Sequence, residues 1–157
     1  MSKRAFMRAV LATKLYGATS GVRTFEPSDQ PALGSLMYRA YLDTVDYDGE
    51  TPDQAAEEVC KTIQGSYGEF MPHCSTVLER AGSLLSATLI TRFEERPFVA
   101  FTFTDPAFAG QGMARACMQA AMFELSANGD HELRLVVTIA NTRAVKLYGK
   151  LGFQVEQ

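Results

Sequence analysis

Cysteine and histidine are scarce in this chain. Cys60, Cys74 and Cys117 are odd in number and lack paired spacing, and the two histidines cannot complete a zinc pattern with them. That argues against a disulfide framework and against a metal site, and the three cysteines read as buried or incidental thiols in a reducing compartment. A long apolar run is also missing. Lys3, Arg4, Arg8 and Lys14 with no acid in the first twenty-one residues have the composition of a targeting peptide. However, Arg8 interrupts an apolar run that is too short to span a membrane, and no small-x-small cleavage site follows it. A cytoplasmic protein with no membrane partner is expected, with residues 1–21 forming an extra helix or strand ahead of the domain. Positive charge is in deficit as well. A net charge of −3 and a pI near 5.4 exclude a protein that wraps nucleic acid by neutralising phosphates. No internal repeat, low-complexity tract or Gly-Lys-Ser/Thr triphosphate loop occurs.

What is present is enough for one core: 157 residues, 46% of them hydrophobic, suit a single domain from 22 to 157. Val22–Phe25 reads as a short strand. Ser28 or Asp29 then caps a helix whose apolar face is Leu33, Leu36, Met37, Ala40 and Tyr41. A second helix begins at Thr51-Pro52-Asp53-Gln54, a capping box with proline at the first helical position. Between and into these helices Asp43, Asp46, Asp48, Glu50, Asp53, Glu57 and Glu58 follow one another with no Lys or Arg. This is either a solvated face or an acidic rim that attracts a cationic substrate. Gly65–Pro72 reads as loop. Strands at Cys74–Arg80, Ser83–Arg92 and from Phe98 follow, antiparallel to one another.

The strand from Phe98 to Thr104 runs into Asp105-Pro106, the turn Ala109-Gly110-Gln111-Gly112-Met113-Ala114, and a helix ending at Asn128-Gly129. A strand, a glycine turn and a helix start build an anion site, because the first amides of a helix lack partners and glycine allows close approach. Leu133–Thr138 is then a strand parallel to the one before it. A last helix from Asn141 to Leu151 stops at Gly152. The anion is not a dinucleotide: Arg115 stands where a third glycine belongs, and Ile139-Ala140-Asn141 follows the next strand where an acid is wanted.

Two segments resemble the GNAT acyl-coenzyme A acetyltransferases. Thr104–Ala114 is similar to that family's strand end, proline and Arg/Gln-x-x-Gly-x-Gly/Ala turn. Asn141-Thr142-Arg143-Ala144-Val145-Lys146-Leu147-Tyr148-Gly149-Lys150-Leu151-Gly152-Phe153 resembles its Asn-x-x-Ala-x-x-Leu-Tyr-x-x-x-Gly-Phe segment. The resemblance implies an α/β (α+β) GNAT fold: a mixed central sheet with antiparallel N-terminal strands, a parallel splayed pair and about four helices. Strands after the last helix would be short or missing, with Ala5–Leu15 or a second subunit, hence a homodimer, filling the gap.

The resemblance also assigns roles. Acetyl-coenzyme A is the acyl donor, a primary amine of a small molecule or peptide is the acceptor, and no metal is needed. The amides around Gly110, Gln111, Gly112, Met113 and Ala114 would hold the pyrophosphate. Ala109 departs from the family pattern by removing a side-chain contact; Arg115, one helical step further in, either replaces it or is an exposed first-turn arginine. Main-chain groups of Thr102, Phe103 and Thr104, together with Asn141, would hold the pantetheine arm, and Tyr148 would give a proton to the departing thiolate. For the base, Glu69, Asp46 and Asp48 are candidates; Cys117 is a poor nucleophile, lying on a packed helix face with no histidine placed for it. The alternative is a non-catalytic acyl-coenzyme A-binding regulatory module.

Overall fold

The computed structural model describes residues 3–12 and 19–157. Lys14 and the end of the basic Ala5–Leu15 segment lie outside the described residues.

Among the described residues, an eight-stranded mixed sheet carries four α-helices, two on each face. The strands are β1 (Arg4–Val10), β2 (Val22–Thr24), β3 (Glu69–Phe70), β4 (Thr76–Arg80), β5 (Ser83–Phe93), β6 (Arg96–Thr104), β7 (Glu132–Thr138) and β8 (Gln154–Val155). The helices are α1 (Gln30–Tyr41), α2 (Pro52–Gln64), α3 (Met113–Ala127) and α4 (Thr142–Lys150). The sheet order is β2-β4-β5-β6-β7-β1-β8, with β3 paired to β5.

Local chemistry accounts for most element ends. Thr51 Oγ1 accepts from the Gln54 amide while the Gln54 side chain accepts from the Thr51 amide, the expected capping box. Gly112, at φ +79°, is the residue from which α3 starts. At the end of α4, Gly152 is left-handed and the Phe153 amide returns to the Tyr148 carbonyl. That turn places the Phe153 ring edge-on to Tyr148, with centroids 5.8 Å apart.

Leu33, Leu36 and Met37 of α1 and Ala55 and Val59 of α2 pack on Val77, Ala87, Leu89 and Phe103. On the other face, α3 buries Met118, Ala121, Met122 and Leu125 against Met7, Leu133, Leu135 and Val137. The sheet alternation explains the split, because successive residues of a strand face opposite sides. Cys117 is fully buried and its thiol is pushed up to about 12 by burial, so it is an inert core residue.

Three expectations change. Gly65–Pro72 is not all loop: Glu69 and Phe70 pair with Arg92 and Thr91, and Phe70 meets Phe25 edge-on at 5.0 Å. The strand expected from Cys74 begins at Thr76, and Arg96 rather than Phe98 opens β6. A β-bulge in β6 is new. Leu89 pairs with Phe101 and Ile90 with Val99, which leaves Ala100 as an extra residue. It turns Val99 toward the α3 face while Phe101 and Phe103 turn toward α1 and α2.

Candidate active site

The parallel pair β6 and β7 meets in register only at Phe98 and Arg134. Beyond that point the strands diverge, so the edges approaching Thr104 and Thr138 face each other across a gap. Both strands keep their outer neighbours, β5 and β1. The gap opens into a cleft of about 850 Å³ between the sheet, α1, α2 and the start of α4.

Thr102 and Tyr148 line this cleft, as does Asn141. The Asn141 carbonyl oxygen caps α4 by accepting from the Ala144 amide at 3.1 Å, which leaves its NH₂ group free to donate. Tyr41 reaches the Thr102 carbonyl at 3.5 Å, the outer limit of a hydrogen bond. The hydroxyls of Thr102 and Thr104 are spent on Thr88 and Ser86 of β5, so only main-chain groups of these residues are available to a ligand. Phe103 is buried against α1 and α2.

Tyr148 is 7% exposed, and its hydroxyl has no hydrogen-bond partner among the described residues. Burial, and then the charge of Asp46, hold its proton on well above the ordinary tyrosine range. Tyr41, where burial again leads, is raised by the charges of both Tyr148 and Asp46. Asp46 itself is fixed by the Thr138 hydroxyl, which donates to its Oδ1 at 2.7 Å. Of the base candidates, Asp46 and Asp48 line the cleft. Glu69 does not: it sits exposed on β3, opposite Arg92.

At the other end of the gap lies the glycine turn. Among the described residues, none of the amides from Gly110 to Arg115 has an acceptor in the protein. Such a row of open donors at a helix start fits a diphosphate. Met113 turns its side chain into the core, leaving only its backbone to the turn. Ala109 is extended and its amide is used by Pro106. Asp105, the one acid at the head of the turn, caps the Ala107 amide and pairs with Arg39 at 3.2 Å. Arg115 is exposed on the first turn of α3.

One residue was missed at the sequence level. The guanidinium of Arg143 would lie 3.3 Å from a Cβ placed on Gly110, so a cation from α4 stands directly over the turn. Its signal was its position two residues after the capping Asn141, within the motif already in view.

Comparison with known proteins decides the family. The model described as "Acetyltransferase (GNAT) family" matches residues 37–153. The chain belongs to the GNAT acetyltransferase family. A mycothiol acetyltransferase of Thermobispora bispora is 32% identical over 143 residues, 84% of this chain and 45% of that protein. The chain therefore spans about half the length of this curated relative. A GCN5-related N-acetyltransferase from Sphaerobacter thermophilus superposes with a TM-score of 0.74 at 18% identity, covering 98% of this chain and 48% of that one. A PaiA N-acetyltransferase from Thermoplasma acidophilum, solved with coenzyme A, gives 0.68 at 16% identity, covering 86% and 89%. These likenesses establish the fold of the GNAT chain. Among its described residues no helix is long and apolar enough to cross a membrane.

Proposed function

We propose that this chain is an N-acetyltransferase that moves the acetyl group of acetyl-coenzyme A directly to a primary amine, with Tyr148 as general acid. The observation that carries the proposal is Tyr148, a buried side chain that lines the cleft beside a splayed strand pair and whose hydroxyl has no hydrogen-bond partner among the described residues. In this reading the open amides from Gly110 to Arg115 bind the pyrophosphate, joined by the guanidinium of Arg143. That cation takes the place of the side chain lost at Ala109, and Arg115 adds charge from one step further in. Main-chain groups of Thr102, Phe103 and Thr104 pair with the pantetheine arm as an added strand would, and Asn141 donates to it.

The acceptor arrives mostly as an ammonium ion. Asp46, directly or through one water, takes a proton from it, and the neutral nitrogen attacks the thioester carbon. A backbone amide of the β6 edge stabilises the oxyanion. As the carbon–sulfur bond breaks, Tyr148 gives its proton to the sulfur, the attacking nitrogen gives up its second proton to water, and Tyr148 and Asp46 return to their starting states by proton exchange with solvent. No covalent enzyme intermediate forms. Support comes from family membership, from the coenzyme A complex of a fold neighbour, and from Asp46 and Tyr148 sharing one cleft.

Calorimetry with acetyl-coenzyme A, followed by thiol release with a panel of amines, tests the proposal. Binding together with turnover of at least one amine is expected. Tight binding with no turnover on any amine favours the non-catalytic module.

A further inference from the structure

The first strand contributes one charged residue to the cleft. Arg4 opens β1 and pairs across the sheet with Thr138, the last residue of β7. Paired residues of antiparallel strands carry their side chains on the same face, with α-carbons about 5 Å apart. The ladder continues past this pair, because the Ile139 amide donates to the Lys3 carbonyl at 2.9 Å, so Arg4 sits inside the ladder and not at a fraying end. Thr138 in turn donates its hydroxyl to Asp46 Oδ1 at 2.7 Å. These two links bring a guanidinium and a carboxylate to one corner of the cleft, and all three residues line it.

The cation is uncommitted. Arg4 is exposed and makes no ion pair with Asp46 or any other acid among the described residues. Lys61, the other cation of the lining, is engaged within its own helix, 3.7 Å from Glu57 and 3.9 Å from Glu58. The next arginine of β1, Arg8, is bound to Glu132 at 3.0 Å and does not line the cleft.

A base and a free guanidinium in one corner fit the two ends of a zwitterion. Asp46 meets the ammonium nitrogen that will react. A carboxylate one or two carbons from that nitrogen then falls toward Arg4, whose planar guanidinium can take both of its oxygens. Charges alternate along the contact, whereas a bare alkylamine gains nothing from Arg4. Resting on the N-acetyltransferase reading, we infer that the acceptor is an amino acid, its amine reacting beside Asp46 while its own carboxylate is held by Arg4.

The test pairs each common amino acid with its amide, which keeps the amine and removes the carboxylate charge, in thiol-release assays at saturating acetyl-coenzyme A. For the best acceptor, the ratio of kcat/KM between acid and amide should fall about 10-fold in Arg4→Gln and recover in part in Arg4→Lys. Reading the ratio across variants cancels the difference in basicity between the two amines. Arg8→Gln, which loosens the same strand through Glu132, should leave the ratio where it is. A ratio in Arg4→Gln within about 2-fold of wild type, or an equal fall in Arg8→Gln, overturns the inference and leaves the enzyme reading intact. So does a panel in which amides turn over and no amino acid does. A several-fold rise in the Kd for acetyl-coenzyme A in Arg4→Gln puts the guanidinium on the donor and also overturns it. Bound acetyl-coenzyme A with no amine of any kind turned over overturns both.

Discussion

Thr138, the last residue of β7, donates its hydroxyl to Asp46 Oδ1 at 2.7 Å, tying the loop after α1 to the sheet across 92 positions of sequence. This bond holds a carboxylate in the cleft that Tyr148 also lines. If Asp46 takes the acceptor proton, Asp46→Asn should lower kcat/KM for the amine about 10- to 100-fold. Thr138→Val, which frees the carboxylate without removing it, should cost about 3- to 10-fold. Steady-state rates across an amine titration check both, and an Asp46→Asn variant with wild-type kcat/KM removes Asp46 from the role.

The glycine turn makes a separate prediction about the donor. Gly112 has φ +79° at the head of α3, so Gly112→Asp adds backbone strain as well as negative charge, and the Kd for acetyl-coenzyme A should rise at least about 10-fold. Arg143→Gln should raise it about 5-fold and flatten its dependence on salt. Calorimetry at two ionic strengths measures each. Unchanged affinity in both variants would mean that the pyrophosphate lies elsewhere.

Stability has its own pH signature at the entry to α1. Asp29 is 6% exposed and accepts two hydrogen bonds from Arg23, at 2.8 and 2.9 Å, and one from the Glu26 amide at 2.8 Å. Burial opposes its charge, but the Arg23 and Glu26 bonds and the Arg23 charge outweigh it and hold the carboxyl below its ordinary range. A depressed carboxylate contributes stability that is present above the unfolded value of about 3.9 and is lost as pH falls through the folded value. Asp29→Asn should cost about 2–3 kcal/mol at pH 7, and the gap from wild type should close below about pH 4. Urea unfolding at pH 7 and pH 3 reports it; a gap independent of pH contradicts the role of the charge.

Much of this fold is legible in the sequence because its signals are local. The capping box at Thr51 and Gln54, the left-handed Gly112 and Gly152, and the apolar stripe of α1 each lie within a few residues. The two motif segments, at Thr104–Ala114 and Asn141–Phe153, locate both ends of the candidate site. What escaped depends on pairing across the chain. Arg4–Val10 buries only Met7 and Ala9, while Phe6 and Val10 face solvent, so its apolar residues fall on both faces and blur the strand period. The two residues of β3 are too few for any alternation. The bulge at Ala100 is defined by the register with β5, and the Asp46–Thr138 bond leaves no trace in spacing.

The raised proton affinity of Tyr148 predicts the shape of the rate profile. Burial first, then the charge of Asp46, keeps the hydroxyl protonated above the ordinary tyrosine value near 10. The rate should therefore rise with pH as the amine loses its proton, with no descending limb below about pH 10 from this residue. A limb centred below about pH 9 that disappears in Tyr148→Phe would place the hydroxyl in a different environment.

The central claim, that the Tyr148 hydroxyl supplies the proton to the leaving thiolate, is tested most directly by the turnover number of Tyr148→Phe under conditions where chemistry limits the rate. The variant should turn over about 10- to 100-fold more slowly, with the Kd for acetyl-coenzyme A little changed. An unaltered turnover number under those conditions would contradict the account.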